Sequence, residues 1–214
     1  MKVVVASSGR GDCEDALLRV ARLLAADEGR VTTLRDIGVG NLSRPLSAAE
    51  VALLRAALVD VRHESDAGVA VVGYVCTGLV PARSYLRESE SGTDEPGRVE
   101  VVAVEDHANL TWRSPLTGPN DDSAGPRFPS MTGIYLPEVA TGRLSADEGM
   151  IVRSGVVAGV SDPSRLNAFE AEAVESHGYA AVSAELVPVV IVAAHMGLRI
   201  AAAMVVGGNG SRRP

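Results

Sequence analysis

Two kinds of hydrophobic pattern alternate along the 214-residue chain. Short β-branched or apolar runs at residues 2–6, 30–34, 68–75, 98–104, 150–160, 179–183 and 198–206 read as strands. Apolar positions at helical spacing lie between them: Ala16, Leu17, Val20, Leu23 and Leu24, then Val51, Leu54, Ala57, Leu58 and Val61 behind a Ser47–Glu50 capping box. Residues 166–177 form an amphipathic helix with Phe169, Ala173 and Val174 inward, and residues 186–196 a further helix. The run 68–75 is apolar throughout, as expected of a strand buried on both faces, and it ends in the small-residue turn Cys76-Thr77-Gly78. Strands alternating with helices predict an α/β fold, a mostly parallel twisted central sheet flanked by helices, in one domain over residues 1–214. In such sheets ligands bind beyond the carboxyl ends of the strands. The turns at 7–11, 74–78, 183–185 and 207–209 lie at those ends and are expected to converge.

One segment breaks the alternation. Residues 106–131, DHANLTWRSPLTGPNDDSAGPRFPSM, hold Pro115, Pro119, Pro126 and Pro129 with Gly118 and Gly125, which excludes a continuous helix and a central strand. A compact domain rarely carries a structureless loop beyond about 15 residues unless it binds something or is disordered. Leu110, Trp112, Leu116, Phe128 and Met131 supply apolar anchors that disordered tracts lack, which favours a binding loop.

Composition narrows the chemistry. A net charge of -7 and no block of basic residues argue against binding nucleic acid or an anionic membrane through a general positive field. No apolar run reaches the roughly 18 uncharged residues of a membrane span. Cys13 and Cys76 are too few for a disulfide framework, and the N-terminus lacks the layout of a signal peptide, so a soluble protein of the reducing cytoplasm is expected. No Cys/His cluster has metal-ligand spacing, and neither metal nor cofactor is expected. The turn SSGRGD, residues 7–12, reads first as a plain strand-to-helix connection; the alternative is an anion site, since it runs into a helix whose first N–H groups face any anion lying there.

The segment 106–131 and the run ELVPVVIVAAHMGLRI at 185–200 resemble the trimeric class of the purine nucleoside phosphorylase family, with its DHINL-like motif, NPL.GPN, RFP and STVPEVIVARHCGLRV. The resemblance covers residues 69–206, in the family's order. It implies a distorted central sheet, a homotrimer with active sites at subunit interfaces, and chemistry at the anomeric carbon of a nucleoside-like small molecule. Ser8 and Gly9 stand where the family has its phosphate turn. Residues 74–78, with Tyr74 and Cys76, take the place of NAAGG, whose backbone lines the base and phosphate pockets. Phe128 matches the aromatic that covers a neighbour's ribose. Ala184 replaces the methionine beneath the sugar, and Glu185 replaces a phosphate-contacting serine. Gly208 falls where the family's N7-binding asparagine belongs, with Asn209 one residue later.

The departures matter as much. The GRxHxYEG phosphate clamp has no counterpart between residues 34 and 45, and the N-terminal half is shortened. The purine-reading glutamate of GPxFET aligns near Leu166 and is absent, and no counterpart of the C-terminal helix and its histidine precedes Pro214. In the related nucleosidase class the position of Glu185 carries a glutamate that binds the ribose diol, and an ionised carboxylate suits two hydroxyls. Glu185 is otherwise a charge at a helix N-terminus, or the partner of an arginine. Glu185 and Asn209 are thus the candidate catalytic groups, and Asn209 is alternatively part of a loose GGNG tail. Cys76 has no adjacent histidine to activate it and reads as an inert buried thiol. His107 and His195 lie in the motifs but outside the family's catalytic set, with packing or hydrogen-bonding roles. Two functions remain: a divergent phosphorylase-like glycosyltransferase or nucleosidase with phosphorolysis weakened or lost, or a re-used fold that cyclises, isomerises or only binds its ligand.

Overall fold

The computed structural model describes residues 2–5, 11–25, 30–64, 70–80 and 98–207. Its strands are β1 (Val3–Val5), β2 (Val31–Thr33), β3 (His63–Glu64), β4 (Ala70–Leu79), β5 (Val99–Asn109), β6 (Met150–Gly159), β7 (Ala181–Ser183) and β8 (Arg199–Gly207). Its helices are α1 (Gly11–Ala25), α2 (Ala48–Val61), α3 (Pro137–Leu144), α4 (Ala168–Ser176) and α5 (Leu186–His195), with a 3-10 turn at Pro163–Arg165. All the strands join one sheet in the order β2-β1-β4-β7-β6-β5-β8, with β3 on β4 and a further β4–β8 pairing. That pairing closes β4, β8, β5, β6 and β7 into a ring. Among the described residues β1–β2, β1–β4, β4–β8, β5–β6 and β6–β7 run parallel, and β3–β4, β4–β7 and β5–β8 antiparallel. The α/β class and the mostly parallel sheet expected from the alternation are thus observed, as a partly rolled sheet.

Alternation along the strands divides the core. Val72, Tyr74, Cys76, Val102, Ala202 and Met204 face α2 and α5, where Leu54, Leu58, Val189 and Val190 meet them. Val75, Val101, Ala103, Ala203 and Val205 face the other way, onto Leu17, Val20 and Leu24 of α1 and Ala140 and Leu144 of α3. This two-sided burial is why β4 and β8 read as continuous apolar runs. A smaller cluster sets Ala158, Val160 and Val182 against Val174 of α4.

The capping box at α2 forms as the sequence implies: Ser47 accepts from the Glu50 N–H while the Glu50 carboxylate accepts from the Ser47 N–H. Arg44 grips the same carboxylate at 2.6 and 3.0 Å, and chiefly through that hydrogen bonding the Glu50 pKa falls to about 2. A second capping box, Asn167 with Glu170, starts α4 and is not among the sequence expectations.

Four expectations need correction. Cys76, Thr77 and Gly78 are strand, because β8 pairs with β4 as far as Leu79. Gly78 is required there: a Cβ would run into the Met204 sulfur and lie 2.9 Å from the Val182 carbonyl oxygen, where β4 meets β7. Residues 106–109 likewise continue β5, paired with β6 beyond a bulge between Val104 and Asp106, so the irregular segment starts later than its composition suggests. Phe169 is 80% exposed, because α4 presents only Val174 fully to its small cluster. The loop's aromatics are not anchors either: Trp112 is 93% and Phe128 86% exposed.

Polar bonds organise the loop instead. Asn109 accepts from the N–H and hydroxyl of Thr111 and donates to the Arg113 carbonyl, a tight turn that holds Trp112 at a φ of 56°. Arg113 ties this turn to the Ser43 carbonyl.

Candidate functional site

The ends of β4 and β7 meet in antiparallel register at Leu79 and Val182, immediately before α5 begins. This junction brings Tyr74, Thr77, Ser183 and Glu185 together. The Thr77 N–H and hydroxyl donate to one oxygen of the Glu185 carboxylate, at 3.1 and 2.8 Å. The Ser183 hydroxyl donates to the Thr77 carbonyl at 2.7 Å and accepts from the Glu185 N–H at 3.1 Å. The Tyr74 hydroxyl donates to the Glu185 carbonyl at 3.0 Å. Glu185 occupies the N-cap position of α5, yet its side chain makes no capping bond to the helix. It turns back to β4, and among the described residues no arginine or lysine pairs with it. Its second carboxylate oxygen has no hydrogen bond to a described residue.

Burial raises the Glu185 pKa above the usual carboxylate value, and the two Thr77 bonds oppose that rise only in part. Tyr74 and Cys76 are fully buried, and desolvation pushes both well above their ordinary values, so phenol and thiol stay neutral. Their side chains are core. Any contact they make with a ligand runs through backbone and packing.

Ala184, between Ser183 and Glu185, opens the other way. It lines a narrow cleft of about 30 Å³ with Gly159, Ser161, Leu46, Arg113 and Pro188. A wider pocket of about 480 Å³ lies between the end of β6 and α4, lined by the apolar Leu110, Leu166, Val174 and Tyr179 and by the polar Asp162, Arg165, Glu170 and His177. Both lie beyond the carboxyl ends of β6 and β7, where an open α/β sheet offers its ligand site. Phe128 stays in solvent with the Arg127 guanidinium 5.8 Å from its ring centre. Ser8, Gly9, Gly208 and Asn209 lie outside the described residues, so of the expected four-turn convergence the structure describes the 74–78 and 183–185 pair. Among the described residues no group of three His, Cys, Asp or Glu side chains could hold a metal, and no helix is long and apolar enough to cross a membrane.

Thr77 and Ser183 are the site residues that sequence reading misses. Their hydroxyls carry little spacing signal, since the bonds that join the two strands, Thr77 to Glu185 and Ser183 to Thr77, span more than 100 positions. His107 and His195 both have the hydrogen-bonding roles expected of them: the first bonds the Tyr135 hydroxyl at 2.8 Å, the second Asn120 at 3.2 Å.

Comparison with known proteins places this architecture. The family described as Phosphorylase superfamily matches residues 96–212, more than half of the chain, and the protein belongs to that superfamily. Purine nucleoside phosphorylase 1 of Geobacillus stearothermophilus is 36% identical over 109 residues, 50% of this chain and 39% of that protein. Its namesake in Bacillus subtilis (strain 168) is 32% identical over 103 residues, covering 47% and 38%. The aligned stretch thus spans less than two-fifths of these curated relatives. A structure of isoform 2 of purine nucleoside phosphorylase from Schistosoma mansoni, in complex with cytosine and ribose-1-phosphate, superposes with a TM-score of 0.65 over 95% of this chain and 75% of that one, at 19% identity. The resemblance drawn from the two motifs therefore extends to the fold of nearly the whole chain.

Proposed function

We propose that the protein acts on a nucleoside or related ribosyl compound at the anomeric carbon, and that it does so without efficient phosphorolysis. One observation carries this reading: Glu185, which replaces a phosphate-contacting serine in the phosphorylase resemblance, is bonded to Thr77 of the run that takes the place of NAAGG. The chain's own carboxylate takes up the strand-end N–H and hydroxyl of Thr77. A carboxylate about 4 Å from a phosphate charge opposes it by on the order of 4 kcal/mol at an effective dielectric of about 20. That is roughly a thousandfold in affinity. The same carboxylate suits a cation-like ribosyl state, which a fixed negative charge in a partly dry site stabilises.

The pocket beside Leu166 supports relaxed purine selection. A site built to hydrogen-bond a base edge discriminates by roughly 10⁴-fold, and Leu166, near where the family has its purine-reading glutamate, offers no such bond. In this reading the chain is one phosphorylase-like domain with a shortened N-terminal half, working in the cytoplasm as a homotrimer. Phe128 reaches a neighbour's ribose, Ala184 and the backbone of Tyr74 and Cys76 line the sugar and base space, and Ser8, Gly9 and Asn209 complete the site from segments outside the described residues. No cofactor takes part.

The test is cleavage of a panel of nucleosides with and without millimolar phosphate. Release of base that does not depend on phosphate is the expected result. A rate rising saturably with phosphate, with ribose 1-phosphate as product, would overturn the loss of phosphorolysis. No cleavage in either condition, together with no thermal shift by nucleosides, would move the protein to the re-used fold.

A further inference from the structure

The loop that carries Phe128 is fastened to the helical layer at one buried point. His195, the last residue of α5, is completely buried, and both of its ring nitrogens are engaged. Asn120 fixes which nitrogen carries the proton. Its amide nitrogen already donates to the Asp122 carboxylate at 2.7 Å and to the Gly125 carbonyl at 3.1 Å, so its oxygen faces His195 Nε2 at 3.2 Å as an acceptor. Nε2 therefore bears the hydrogen, and Nδ1 presents a lone pair to the Arg55 guanidinium of α2 at 3.3 Å. Arg55 in turn pairs with Asp121 of the loop at 2.8 Å. The loop backbone lies directly on the helix end, where any side chain at Gly125 would collide with the His195 carbonyl oxygen.

We infer that His195 is a positioning residue, a latch that holds the segment 118–128 only while its imidazole is neutral, so that acid releases the loop bearing Phe128. The charged groups facing the ring are Arg55 from α2 and Asp121 from the loop. A second proton would have to enter on Nδ1, against a guanidinium that is itself a donor. Two cations and two donors would then meet, and Asp121, already bound to Arg55, offsets this only partly. Burial and Arg55 both lower the His195 pKa from its ordinary 6.5. The released loop thus binds the proton more readily than the latched one. Latching is fully present above the ordinary histidine value and is lost as pH falls from there through the lowered one.

That Phe128 serves catalysis rests on the function proposed above; the latch does not, and its test uses the ligand-free protein. Amide-exchange protection factors of residues 118–128 are measured at about pH 7.5 and about pH 5, either side of an ordinary histidine pKa. In the wild type, protection of this segment is lost on acidification, while the β4 and β8 amides hold. Gln at position 195 is neutral at both pH values and can accept and donate as the ring does, so His195→Gln should keep the loop protected at both. Gly125→Ala, which leaves the core side chains intact, should open it at both. Equal wild-type protection at the two pH values would overturn the inference. So would an acid opening that persists in His195→Gln.

Discussion

The strand-end junction of Thr77, Ser183 and Glu185 and the loop that follows β5 stand in contrast. The junction is small, deeply set and tied chiefly by bonds between residues far apart in sequence. The loop is long and outward-facing, tied mostly to itself through Asn109, Ser114 and Asn120, and it exposes its two large aromatics. Both are polar networks. Desolvation decides how much rests on each bond: a buried group that loses its partner costs about 1–3 kcal/mol, whereas an exposed one turns to water at little cost. The junction is therefore suited to hold a charge in one place, and the loop to present surface to something else.

The largest effect should come from breaking the junction. Glu185→Ala removes the only carboxylate at the junction among the described residues and should lower turnover of any accepted nucleoside by about a hundredfold or more, the scale of losing one preorganised electrostatic group. A loss below threefold, with the fold intact by circular dichroism, would remove Glu185 from the chemistry. On the loop side, Phe128→Ala should weaken assembly and raise the apparent KM about tenfold, the scale of one large apolar contact, with monomer stability unchanged because the ring is already in solvent. Light scattering and urea unfolding of the same samples separate the two effects. A monomeric wild type at micromolar concentration with full activity would defeat this assignment.

A finer difference is electrostatic. Because the folded state raises the Glu185 pKa, it prefers the protonated acid; this contribution is fully present below the ordinary carboxylate value of 4.5 and is lost as pH rises through the raised one. Glu185→Gln, which can still accept from Thr77, should match the wild type in urea unfolding at pH below that value and equal or exceed its stability above it. A deficit that grows with pH would mean that the carboxylate is better stabilised than its burial implies. The smallest effect belongs to Trp112, held at positive φ and 93% exposed. Left-handed backbone costs a bulky residue about 1–2 kcal/mol, part of which glycine gives back in unfolded-state entropy. Trp112→Gly should therefore be neutral or stabilise by up to about 1 kcal/mol. A loss larger than that would show that the indole packs against something.

Much of the fold is legible in the chain because it depends on local period. Strand runs, the Ser47–Glu50 box and the helices 51–61 and 186–196 are set by neighbours within a turn or two, and each is found close to where the pattern places it. The errors fall where distant chain intervenes. A glycine-bearing CTG reads as a turn until β8 is laid beside it and β7 approaches, and Phe169 reads as inward until α4 proves to rest on Val174 alone. Short α3 goes unseen because its eight residues, PEVATGRL, carry no strong stripe.

For the site the division is sharper. Composition and motif order by themselves determined an acidic α/β chain of the phosphorylase kind, with Glu185 at a strand end and Phe128 in an irregular segment, because residue identity and order are properties of the chain. Which way Glu185 turns was left among a diol, a helix end and an arginine. Only the tertiary structure decided it, by bringing Thr77 from 108 positions away to bond one carboxylate oxygen and leave the other without a described partner. Likewise a histidine and a GPN motif carry no sign that Asn120, His195 and Arg55 share one buried point. Hydrogen bonds and desolvation act through space over a few ångströms, and sequence separation does not measure that distance.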